Sequence, residues 1–167
     1  MMYRIEKVLN HNTVIAIHQD DHKEVLIMGK GVGFGRKVAE RIKVRPEDRL
    51  YSLQKYKERG GAKEIVKSIA PEFLELTNAV LDEAEKVFGK IDRMVLFPLA
   101  DHIAFAVKRI QNHEQISNPL TEDIRLLFHM EYKVAACIIP ILQKKYRISI
   151  GEDEVGYIAL HVHSAID

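Results

Sequence analysis

Apolar positions along the chain repeat with two different periods. From Tyr3 to about Leu53 the pattern is short and strand-like. Tyr3, Ile5, Lys7 and Leu9 alternate with Arg4, Glu6 and Val8, and residues 14–17 and 25–28 are runs rich in β-branched side chains. Asn10-His11-Asn12 interrupts the first two runs and reads as a hairpin turn, since Asn tolerates a positive φ. Gln19-Asp20-Asp21-His22-Lys23 forms a second turn, and a further strand is expected over residues 49–53, after Pro46. The expectation is an antiparallel meander of about four strands. So small a sheet buries little apolar surface alone, which predicts self-association.

Beyond Gly60-Gly61 the period becomes helical. Residues 62–69 form a short amphipathic segment. Pro71 opens a stripe through Phe73, Leu74, Leu76, Val80, Leu81, Ala84, Val87 and Phe88 that stops at Gly89. Residues 94–110 form another helical stretch, with Pro98 marking a start or a kink. Asn118-Pro119 signals a cap and first turn ahead of Leu126, Leu127 and Phe128, and residues 134–146 carry a further apolar stripe. Gly151 and the acids Glu152-Asp153-Glu154 open a last helix over residues 155–166. The fold class expected is α+β in two domains. Residues 1–59 form a small, dimeric antiparallel β domain, and residues 60–167 an all-α bundle of about five helices.

Charge sharpens this division. The chain's net charge of +1 conceals +5 over residues 1–59 and −4 over the remainder, so the first part suits a polyanion. Its centre is Gly29-Lys30-Gly31-Val32-Gly33-Phe34-Gly35-Arg36-Lys37. Glycine at every second position packs poorly as a strand but lets a backbone come close to a ligand. A phenyl ring among cations is the residue logic of RNA binding; the competing reading is a glycine-rich hairpin edge that exposes lysines.

Other chemistry is sparse. No apolar run reaches the length of a membrane span, no secretory signal is evident, and cytoplasm is the expected compartment. The single cysteine, Cys137, excludes an internal disulfide and reads as a small buried hydrophobe. No metalloprotease, P-loop or nucleophile-elbow motif occurs, so no active site, cofactor or metal is expected. His161 and His163 are two residues apart and splay to different helix faces, which prevents them from sharing a metal there. Of the eight histidines, His11, His18 and His22 fall in or beside turns, and His113 and His129 have no evident partner. His102 and His161 stand in apolar helical contexts, where a hydrogen-bonded core role competes with a functional one.

Three motifs in order carry a resemblance over essentially the whole chain. They are the turn and glycine motifs above, Asp101-His102-Ile103-Ala104-Phe105-Ala106-Val107-Lys108-Arg109, and Glu152-Asp153-Glu154-Val155-Gly156-Tyr157-Ile158-Ala159-Leu160-His161. Together they resemble the BglG/SacY-type transcriptional antiterminators, with wording nearest the glucose-type branch. The resemblance implies a co-antiterminator RNA-binding domain followed by one phosphotransferase-regulated domain (PRD). Family members bind a hairpin in nascent leader RNA and prevent termination. By position, Lys7, Asn10, Asn12, Gly29, Lys30 and Phe34 match RNA-contacting residues, with Arg36 and Lys37 as further cations. Gly35 stands where relatives carry glutamine, so that contact does not carry over.

The resemblance also implies that His102 and His161 are phosphorylated, supported by Asp101 and Arg109. The donors implied are phosphotransferase proteins, either a sugar-specific enzyme II or HPr. Further implied partners are the leader RNA hairpin and a second copy of the chain, with phosphorylation inhibitory in the glucose-type branch. Members normally carry two regulatory domains, so a chain ending at Asp167 is expected to be a fragment. Two alternatives stay open: a constitutive RNA-binding protein with a helical dimerisation domain, and a histidine phosphocarrier.

Overall fold

The computed structural model describes residues 2–53 and 61–166. The chain forms two compact units that divide after Pro71. The expected domain boundary at residues 59 and 60 lies outside the described residues. The short helix α1 (Ala62–Ser68) belongs to the first unit, with the sheet.

Five antiparallel strands build that sheet: β1 (Met2–Asn10), β2 (Thr13–His18), β3 (Glu24–Met28), β4 (Arg41–Lys43) and β5 (Arg49–Ser52). Their spatial order is β4-β1-β2-β3-β5. The meander therefore holds for β1 to β3 only. β4 crosses to the outer edge of β1 before β5 returns to pair with β3. β4 has one buried residue, Ile42, between two exposed cations, a pattern too short to alternate visibly in sequence. Its pairing is extended by Ala39 N donating to Ile5 O at 2.8 Å and Ile5 N donating to Glu40 O at 2.9 Å.

The simple alternation expected of β1 is broken by two irregularities. Its register against β2 skips Glu6 and then Leu9, so that Ile5 faces Ala16, Lys7 faces Ile15 and Val8 faces Val14. Each extra residue reverses which side of the sheet the next side chain takes. Ile5 and Val8 consequently share one core with Tyr3, Val14, Ala16, Val25, Ile27, Val32 and Ile42. Glu6, Lys7 and Leu9 line a recess with Ile15, Glu24 and, from α1, Lys63, Val66 and Lys67. There Lys63 Nζ donates to Glu24 Oε1 at 2.7 Å and holds that carboxyl below its ordinary range. Burial, with Glu24 beside it, holds Glu6 above its own.

The second unit comprises α2 (Pro71–Phe88), a 3-10 turn (Arg93–Val95), α3 (Leu96–Gln111), α4 (Thr121–Leu127), α5 (His129–Ala135), α6 (Ile138–Tyr146) and α7 (Glu152–Ser164). Over residues 60–167, where about five helices were expected, the described residues form seven with α1 included, as residues 118–146 break more often than their apolar stripe suggests. Pro98 and Pro140 each occupy the third position of a helix, where the missing N–H has no intrahelical acceptor to serve. Pro98 therefore marks a start and not a kink. Pro140 allows α6 to begin afresh after Cys137, whose partly buried thiol is pushed up to about 11 by burial and stays protonated. α7 packs against α3, α4 and α5. Leu81, Leu96, Leu99, Ile103, Ile138, Leu142 and Ile158 are fully buried.

Arg93 ties the 3-10 turn to α2. Its guanidinium donates to Asn78 Oδ1 at 2.6 Å and Glu85 Oε1 at 2.7 Å and pairs with Asp82 Oδ1 at 3.0 Å. Those positions recur at i, i+4 and i+7, one face of α2. Charge-assisted bonds to a largely buried group contribute more than surface pairs. Arg93→Ala is expected to cost about 2 kcal/mol in urea unfolding followed by helical circular dichroism. Lys86→Ala, which removes only the exposed pair with Glu83, should leave the transition in place.

Candidate functional site

The hairpin between β1 and β2 and the long loop after β3 are built as one piece. Asn10 Oδ1 accepts from Asn12 N at 2.9 Å, which shapes the hairpin turn. Asn12 Oδ1 then accepts from Gly31 N at 2.8 Å, and Asn12 O from Gly29 N at 3.0 Å. His11 O accepts from Gly33 N at 2.8 Å. So both asparagines spend side-chain oxygens on backbone N–H groups of the hairpin and the loop.

Two glycines answer to neighbours. A Cβ on Gly29 would run into Asp48 Oδ1, and one on Gly33 into Asn10 O. Gly31 and Gly35 have open space around them but take φ of +73° and +67°, the left-handed region. Asp48, which the motif reading did not select, is buried beneath Gly29. It accepts from Arg45 N and Arg45 Nη2, each at 2.8 Å, and Arg45 Nη2 also donates to Lys30 O at 2.8 Å. Its only signal in the sequence is a turn-like Arg45-Pro46-Glu47-Asp48.

On this frame Phe34 is 67% exposed and meets His11 edge-on, with ring centroids 5.0 Å apart. A ring this exposed is not part of the core. Lys30 and Lys37 are also exposed, while Arg36 pairs with Glu40 at 3.0 Å. Lys7 takes no part in the loop network and lines the α1 recess instead. Asn10, Asn12, Gly29, Lys30 and Phe34 are thus brought together, with Arg36 and Lys37 following in the same loop.

In the helical unit His102 on α3 and His161 on α7 are neighbours, their ring centroids 5.2 Å apart. Sequence separation gave no reason for this proximity; the packing of α7 on α3 supplies it. His102 Nε2 bonds Glu154 Oε1 at 2.7 Å, and Arg109 Nη2 donates to Glu154 Oε2 at 3.4 Å. Glu154 is almost wholly buried, and a buried carboxylate requires such partners. His161 Nδ1 donates to Tyr157 O at 3.0 Å, one helical turn earlier. Arg109 also lies over the Phe105 ring at 5.2 Å.

Asp101 stays exposed outside this cluster. The acid that orients His102 is Glu154, drawn from another helix 52 residues away. Its signal was the acidic start of α7, which equally suits a helix N-terminus. Nearby, Thr121 Oγ1 donates to Asp153 Oδ1 at 2.6 Å and Asn118 Nδ2 donates to Asp153 O at 3.4 Å, fixing α4 against the same end of α7.

Burial holds the His161 imidazole below the ordinary histidine value and the nearby His102 adds to this, against the bond to Tyr157 O. The folded state then binds this proton less readily than the unfolded chain. Stability is full above the unfolded value of about 6.5 and declines as pH falls through it. Urea unfolding should therefore show lower stability at about pH 5.5 than at about pH 7.5, and His161→Gln should flatten that difference.

Residues 3–60 match the CAT RNA binding domain and residues 74–165 the PRD domain. The chain is 33% identical over 172 residues to the "GlcA/glcB genes antiterminator" of Staphylococcus carnosus, which covers 99% of this chain and 58% of that protein. It is 30% identical over 167 residues to "Protein GlcT" of Staphylococcus epidermidis, covering 97% of this chain and 57% of the relative. The chain thus spans a little over half the length of these curated relatives. The crystal structure of GlcT CAT-PRDI superposes with a TM-score of 0.82 at 32% identity, covering 99% of both chains. A sheet whose glycine loop presents Phe34 and a helical unit that pairs His102 with His161 therefore fit one description, and the chain belongs to the family that joins a CAT RNA-binding domain to a PRD domain.

Proposed function

We propose that this chain is the RNA-binding and first regulatory part of a transcriptional antiterminator that binds a hairpin in nascent leader RNA of a sugar-transport gene and prevents termination. The observation that carries the reading is the match along nearly its whole length to a protein named "GlcA/glcB genes antiterminator". Residues 1–59 act as the RNA-binding domain and residues 60–167 as the regulatory domain. The chain is a cytoplasmic regulator and not an enzyme. Among the described residues no single helix is long and apolar enough to cross a membrane.

In the RNA complex Phe34 stacks on an unpaired base. Asn10 and Asn12 offer amides to base edges, Gly29 permits backbone approach, and Lys7, Lys30, Arg36 and Lys37 meet phosphates. A homodimer presents two such loops to one hairpin. Exposed Leu126 and Leu127, 77% and 75% accessible, support self-association of the helical part. His102 and His161 accept phosphoryl groups from phosphotransferase proteins, a sugar-specific enzyme II or HPr. Arg109 balances their charge and Asp101 lies outside at the rim. Each phosphoryl group adds close to two negative charges, which loosens the dimer and inhibits RNA binding.

Incubation with phosphoenolpyruvate and purified phosphotransferase proteins tests this. Labelled protein with weakened RNA binding supports the reading, absence of label leaves a constitutive RNA binder, and label passed to sugar indicates a phosphocarrier. On the RNA side, Phe34→Ala is expected to weaken hairpin binding by about 1–3 kcal/mol in titrations, the value of one stacked base. Lys30→Ala should in addition flatten the salt dependence. Affinity unchanged by Phe34→Ala would instead remove the stacking role.

A further inference from the structure

His102 and His161 are held by acceptors of different kinds on different ring atoms. Tyr157 O is a carbonyl and can only accept, so the proton of a neutral His161 sits on Nδ1 and leaves Nε2 with its lone pair bare. On His102 the bonded atom is Nε2, 2.7 Å from Glu154 Oε1. A carboxylate likewise accepts, so the His102 proton sits on Nε2 and Nδ1 is bare. The Arg109 guanidinium on Glu154 Oε2 keeps that carboxylate turned toward the ring. Both rings are only partly buried, His102 with 23% of its side chain accessible. Among the described residues the buried polar side-chain atoms without a partner are Thr13 Oγ1, Glu24 Oε2 and Arg109 Nε.

We propose that the two histidines offer opposite ring nitrogens to a phosphoryl donor, Nε2 on His161 and Nδ1 on His102, the first fixed by the Tyr157 carbonyl and the second by the Glu154 carboxylate. This rests on the reading that both are phosphoacceptors. In each transfer the bare lone pair forms a bond to phosphorus. The phosphorus bond to the donor protein's nitrogen or sulfur breaks, and its electron pair leaves with the donor. The proton on the other ring nitrogen stays in place, so the bonds to Tyr157 O and Glu154 survive the reaction. Glu154 is here a positioning residue. It never meets phosphorus and acts by choosing the nitrogen His102 presents. His163 forms a useful contrast. Its Nδ1 is 2.7 Å from Glu131 Oε2 and its ring stacks on Phe128 at 4.0 Å between centroids, which leaves Nε2 open as on His161.

The test uses the whole chain with histidine labelled in 15N, and His102→Ala and His161→Ala to assign the signals. At about pH 8, where ordinary histidines are neutral, long-range 1H–15N correlation should show a proton on Nδ1 of His161 and on Nε2 of His102. Glu154→Ala should erase the preference at His102 and leave His161 unchanged. Either tautomer found reversed in the unsubstituted protein overturns the proposal without any variant. The second arm phosphorylates the protein with phosphoenolpyruvate and the purified donors. Phosphorus on Nε2 couples to both ring C–H protons and phosphorus on Nδ1 to one, because only Nε2 lies between two C–H carbons. Both ring protons are expected to couple on His161 and one on His102. The reverse pattern, or phosphate on His163 alone, refutes the assignment. Correct tautomers with no phosphate on either histidine refute the phosphoacceptor reading and, with it, the acceptor atoms named here.

Discussion

A carboxylate that is almost wholly out of water must be answered by donors, and Glu154 is answered entirely from another helix. Its two oxygens take His102 and Arg109 from α3, residues seven apart and so on one face. Sliding α7 along α3 by one turn would strand the carboxylate, a cost larger than most single packing losses. The pair of helices is thereby held in one register, and that register sets the distance between the two histidine rings. The ordered start of α4 follows from the same end of α7 through Thr121 and Asn118. Gly156 makes room there, since its missing Cβ would crowd Asn118 Nδ2.

Much of this was legible from residue pattern, and the gaps have physical reasons. The hairpin at Asn10-His11-Asn12, the runs forming β2 and β3, and the helix from Pro71 carry strong local signals. β4 does not: three residues with one apolar side chain become a strand only because an edge of β1 is free to pair. The irregularities at Glu6 and Leu9 are likewise invisible, since an extra residue changes register without changing composition. The apolar stripe near residues 134–146 ran through a helix break because burial continues across it while the backbone does not. At the candidate sites, local motifs picked out His102, His161 and Arg109, which packing brings into one cluster, and Phe34, which the loop leaves exposed. The partners chosen by folding, Glu154 and Asp48, lie far off in sequence, and the neighbour Asp101 proved to face solvent.

The two units solve opposite problems with polar groups. In the sheet, side-chain amides and backbone N–H groups hold a loop that sends Val32 into the core and leaves its one large ring outside. In the helical unit the polar cluster is partly buried, and its carboxylate is answered by His102 and Arg109 from α3. Charge placed on the first is met by solvent and counter-ions. Charge placed on the second is met by a low-dielectric neighbourhood, where it acts more strongly.

The tethering of the glycine loop to Asn12 and His11 has a thermodynamic consequence. Glycine-rich segments ordinarily lose a great deal of conformational freedom when they close on a ligand. Here that freedom is surrendered when the chain folds, through bonds from Gly29, Gly31 and Gly33 to the facing hairpin. An incoming partner meets a surface already in its working shape, so recognition can be quick and selective for shape without a large entropic penalty at the moment of contact.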